Sequence, residues 1–135
     1  MNIMKGVTVL GLAVIAMTLG STNVFSQDAC DYGGNHTIQV RAGDDGIPVL
    51  TYKGGSAEDV YVCMGDQVQW VLVGSDRDFL VEFFAGAPFA GAATRGSSSG
   101  VVAVTIGGSA ERGKGYDYNV AFADGGELDP RIIVE

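Results

Sequence analysis

The feature that most constrains the fold is the spacing of glycine-rich turns between short stretches of alternating apolar and polar residues. Thr37-Ile38-Gln39-Val40-Arg41 alternates strictly, and Asp44-Asp45-Gly46 then marks a turn. Val49-Leu50-Thr51-Tyr52 follows, with Pro48 at its start pointing to an edge strand, and Gly54-Gly55-Ser56 turns the chain again. Val60-Tyr61-Val62-Cys63 is a strand, and Gly65-Asp66 leads into a run where Val68, Trp70 and Leu72 face one way and Gln67 and Gln69 the other. Phe79, Val81 and Phe83 repeat the pattern, as do Tyr116, Tyr118, Val120 and Phe122. Val101 to Ile106 and Ile132-Ile133-Val134 complete the set. No stretch after residue 26 carries a helical period, and 21 glycines interrupt the chain. About eight short strands at this spacing predict an all-β chain, a two-sheet Greek-key β-sandwich.

Residues 1–26 read as a signal peptide. Lys5 supplies the positive start, and Val7 to Leu19 is an apolar run of signal length, short for a membrane span. Val24-Phe25-Ser26 suits cleavage after Ser26; an uncleaved anchor is the alternative. The expected organisation is therefore 1–26 signal and 27–135 one domain, periplasmic or secreted, with no membrane insertion after cleavage.

Of the 16 acidic residues none lies in the signal, which removes only Lys5 from the 8 Lys and Arg. The strongly acidic remainder argues against nucleic acid and anionic lipid as partners, since both need basic patches. Cys30 and Cys63 are the two cysteines, and in an exported chain such a pair is expected as a disulfide.

Three segments, in order, resemble the cupredoxin family. Gly65-Asp66-Gln67-Val68-Gln69-Trp70 is similar to its Gly-Asp-x-Val-x-Trp strand pair. Phe79-Leu80-Val81-Glu82-Phe83 resembles the strand that opens on the first copper histidine, and Tyr116-Asp117-Tyr118-Asn119-Val120 the strand that leads to the copper cysteine. Arg131 to Glu135 stands where the final strand follows. The resemblance, from Val60 to Glu135, implies a cupredoxin-like sandwich with Trp70, Phe83 and Tyr118 facing inward. An immunoglobulin-like interaction domain is the rival sandwich. The family's ligand positions fall on Phe79, Val120 and Ala123, and no methionine stands in the closing turn. Phe, Val and Ala offer copper no donor atom, so no metal ligand set and no cofactor is expected.

Other motifs lead nowhere catalytic. Gly96-Ser97-Ser98-Ser99-Gly100 has the letters of a nucleophile elbow but precedes a strand, with the one histidine, His36, upstream. Gly108 to Lys114 lacks the Ser or Thr and the helix of a phosphate loop. Asn35-His36-Thr37 is a glycosylation sequon only in a eukaryotic host. His36, Met64 and the acidic turns Asp44-Asp45, Asp76 with Asp78, and Asp124 to Asp129 leave a copper- or calcium-handling alternative. The expectation is a non-enzymatic binding or accessory module for an unidentified protein or small ligand. Its docking surface is placed on Phe84, Pro88 and Phe89 with an acidic rim of Asp124, Glu127 and Asp129; the rival reading makes Phe89 a core plug and the loops solvated spacers. Glu82, between Leu80 and Phe84, is expected to face outward in a mixed apolar and acidic strip.

Overall fold

A computed structural model of the chain describes Cys30, residues 34–123 and residues 125–135. The expected signal peptide at 1–26, its expected cleavage point and Asp124 lie outside the described residues. The chain divides into two units, Met1–Asp31 and Tyr32–Glu135, and the fold below is that of the second.

Eleven strands stand among the described residues: β1 Asn35–Ala42, β2 Pro48–Tyr52, β3 Gly55–Ser56, β4 Asp59–Val62, β5 Gln67–Leu72, β6 Phe79–Phe83, β7 Thr94–Gly96, β8 Val101–Thr105, β9 Gly115–Phe122, β10 Gly125–Leu128 and β11 Arg131–Val134. The sequence leads one to expect about eight. The additional β3, β7 and β10 are two to four residues long, too short to show a period of their own.

One sheet has five strands in the order β8-β5-β1-β2-β3, and the other runs β4-β11-β9-β6-β7. Beside β9, β11 pairs with Gly115 to Asp117 and β10 with Val120 to Phe122, with a bulge at Ala121 and Phe122. β1 pairs parallel with β5, and β4 parallel with β11; the other pairs are antiparallel. Parallel neighbours cannot be joined by a tight hairpin, so the chain crosses between the sheets to build both pairs. This is the Greek-key sandwich.

Alternation decides the faces. Ile38, Val40, Val68, Trp70, Val81, Tyr118 and Val120 are all fully buried, while Thr37 and Gln39 on β1 and Gln67 and Gln69 on β5 are exposed. At the centre Trp70 from the first sheet meets Phe83 and Tyr118 from the second. Ring centroids lie 5.4 Å apart for Trp70–Tyr118, 4.8 Å for Phe83–Tyr118 and 6.3 Å for Trp70–Phe83. The Trp70 indole N–H donates to the Tyr118 hydroxyl at 3.1 Å, giving each buried polar tip a partner. Burial pushes the Tyr118 phenol well above its ordinary value, and the Trp70 hydrogen bond offsets only part of that rise, so the phenol stays protonated.

Candidate functional site

The end where the resemblance places copper is filled with carbon. Phe79 opens β6 and is opposite Phe122, while Val120 is opposite Val81. Phe79, Val120 and Phe122 are buried, and Ala123, just past β9, is exposed, its N–H donating to the Asp78 carbonyl at 3.3 Å. The Phe79 N–H donates to Ser97 Oγ at 3.1 Å. The Arg77 guanidinium lies 3.9 Å from the Phe122 ring centroid, a cation–π cap on this end. Phe79, Val120 and Ala123 do not fit a copper ion. Gly96–Gly100 leads straight into β8, so no elbow forms there.

The acidic turns do not converge either: among the described residues, no three of His, Cys, Asp and Glu come together as a metal-binding group. Cys30 and Cys63 are joined in a disulfide, so neither supplies a thiolate. Met64 is half-buried and packs against the core.

His36 is committed elsewhere. Its Nε2 lies 2.7 Å from Asp66 Oδ2 and its Nδ1 2.6 Å from the Tyr52 hydroxyl. With the proton on Nε2, the imidazole donates to Asp66 and accepts from Tyr52, satisfying both contacts. Asp66 also accepts the N–H of Gly34 at Oδ1 and of Cys63 at Oδ2, each at 2.9 Å. This chain ties β1, β2 and the turn after β4 together beside the disulfide. Asp66 sits in a Gly-Asp turn, yet it is buried, because donors reach it from two separate segments, Gly34 with His36 and Cys63.

Burial raises the Asp66 pKa, but the hydrogen bonds from His36, Cys63 and Gly34 and the His36 charge outweigh it, and the carboxyl ends below its ordinary 3.8. A depressed folded pKa stabilises the fold above the unfolded value and loses that stabilisation as pH falls through the folded pKa. Asp66→Asn is therefore expected to cost about 1–2 kcal/mol at neutral pH. The difference from wild type should shrink once pH drops below 3.8. Urea melts across that range check this; a deficit independent of pH would contradict it.

The proposed docking residues separate. Phe84 is 57% exposed, as a surface anchor requires. Pro88 and Phe89 are buried, which takes both off the docking surface and makes Phe89 the core plug of the rival reading. The Phe89 ring packs edge-on against Phe83 at 5.3 Å, and Arg95 covers its other side at 4.8 Å. Arg95 also donates to the carbonyls of Ala90 and Ala92, and the Pro88 carbonyl accepts from the Gly107 N–H. The Ala85–Gly100 stretch is thus a lid packed on the core that includes β7. Glu127 and Asp129 are exposed, but Glu127 sits opposite Ala121 on the other edge of β9 from β6. Phe84 lies beyond Phe83, its N–H donating to the Asp117 carbonyl, so Phe84 and Glu127 sit toward opposite ends of β9. Asp129 borders a separate depression of about 310 Å³ with Leu50 and Leu128. What the structure does assemble is the strip Leu80, Glu82 and Phe84, all exposed on the outer face of the six-stranded sheet.

No protein-family model matches the chain, and no curated relative does. Among solved structures it is similar to a point mutant of amicyanin in its reduced Cu(I) form, at 20% identity and TM-score 0.44, over 73% of this chain and 82% of that one. It is also similar to reduced rusticyanin, at 14% identity and TM-score 0.41, over 78% and 83%. For rusticyanin from Thiobacillus ferrooxidans the values are 15% and 0.37, over 85% and 94%. These neighbours are cupredoxins. Overlaps of this size carry nothing about function, and the sandwich architecture rests on the strand order and register above.

Proposed function

We propose that this chain is an exported, copper-free binding domain on a cupredoxin-like sandwich, non-catalytic and without electron-transfer chemistry of its own. The observation that carries this reading is the replacement of all three ligand positions by Phe79, Val120 and Ala123, with Phe122 and Arg77 closing the same end. A blue-copper site needs imidazole and thiolate donors, and His36 and both cysteines are engaged elsewhere. The disulfide supports an oxidising compartment, periplasmic or secreted. The working surface is the exposed strip on the outer face of the six-stranded sheet.

Thermal unfolding with Cu²⁺ or Ca²⁺ tests the reading. A micromolar site at about a hundredfold excess of metal adds roughly 2.7 kcal/mol, which raises the melting temperature by about 10 °C or more in a domain of this size. The expected result is no rise with either ion. A rise of that size would replace the reading with a metal-handling one.

A further inference from the structure

A buried amide oxygen without a partner lies beside that strip, across from its middle residue. Asn119 stands between Tyr118 and Val120, whose side chains fill the core, so its own side chain turns to the outer face. It is nonetheless only 7% exposed, and its Oδ1 has no hydrogen-bond partner. Glu82 is directly opposite it on β6. Leu80 and Phe84, 43% and 57% exposed, flank Glu82 on the same face. A buried carbonyl oxygen without a donor lowers stability, and a β-branched apolar residue would serve a strand better here.

Charge defines what fits. Phe84 is followed across the sheet by Asp117, and Leu80 by Ala121 and Glu127. Arg131, a cation on this face, already lies 3.4 Å from Asp117 and 3.6 Å from Asp59. Glu82 and Glu127 therefore leave the patch negative, on a chain of net charge −8. A second copy would set like charge against like, and nucleic acid or anionic lipid would be repelled.

We infer that this patch docks a cationic, apolar segment of another protein, with a Lys or Arg N–H passing between Leu80 and Phe84 to Asn119 Oδ1 while Glu82 neutralises its charge. The inference rests on the binding-domain reading above. Asn119 is then kept at a cost to stability because it completes the contact with the partner.

The test is an NMR titration of the purified ¹⁵N-labelled protein with a synthetic peptide of alternating Lys and Leu. Peptides alternating Glu with Leu and Lys with Ser serve as controls. The Lys–Leu peptide is expected to shift the Asn119 side-chain amide and the β6 and β9 backbone saturably, and both controls to bind at least about tenfold more weakly. Glu82→Gln and Phe84→Ala, both surface changes that keep the fold, should each weaken binding about tenfold. Asn119→Val should weaken it similarly while raising the melting temperature by about 4–8 °C. Shifts that map elsewhere, equal binding of the controls, or full affinity in Glu82→Gln and Phe84→Ala would overturn the inference. So would a lower melting temperature in Asn119→Val. Failure here leaves the copper-free reading standing, because the metal-dependent melting curve decides that one separately.

Discussion

Truncating Phe83 to alanine is expected to destabilise the protein by about 3–5 kcal/mol, whereas the same change at the adjacent Phe84 should stay within about 0.5 kcal/mol. The two side chains are alike in chemistry and one residue apart in sequence. Phe83 is 4% exposed and its ring touches three others, stacked on Tyr118 and edge-on to Trp70 and Phe89. Those contacts join both sheets and the lid, so the cavity left behind cannot close by moving one element alone. Phe84 points the other way, into solvent. Urea unfolding of both variants measures the contrast. Equal losses, or a larger loss at Phe84, would mean that β6 presents the opposite face to the core.

Removing the disulfide by Cys30→Ser with Cys63→Ser should cost about 3–4 kcal/mol, the entropy of leaving the loop between positions 30 and 63 open in the unfolded chain. Cys63 is buried, and its N–H donates to the Asp66 carboxylate, so the bridge ends at a turn that is itself hydrogen-bonded in place. A bond anchored there restrains the unfolded chain and leaves the native turn held by Asp66. Denaturant midpoints of wild type and double variant, compared without reductant, give the cost. Coincident midpoints would contradict it.

Much of the fold is legible because alternation is a local signal. Trp70, Phe83 and Tyr118 face inward where the period of two puts them, and Glu82 faces outward. Phe89 stays open between surface anchor and core plug, because it lies in a stretch of small residues with no period, and only the approach of Phe83 and Arg95 makes it core. The burial of Asp66 is not legible for a related reason. Its turn signal is real, but Gly34, His36 and Cys63 reach its carboxylate only once the sandwich has closed. The alternation places Asn119 on the outer face, but its burial and its missing partner come from neighbours on another strand. At the resembled copper end the absence of ligands is visible in the letters, while Phe122 and Arg77 closing that end is a matter of register and of a loop.

The most direct test of the central claim is the visible absorption spectrum of the oxidised, purified protein after stoichiometric Cu²⁺ is added. A cupredoxin-like end closed by Phe79, Val120 and Phe122 predicts no intense thiolate-to-copper band, since no thiolate stands at the Val120 position and both cysteines are in the disulfide. An intense band assignable to a bound Cu²⁺–thiolate centre would contradict it.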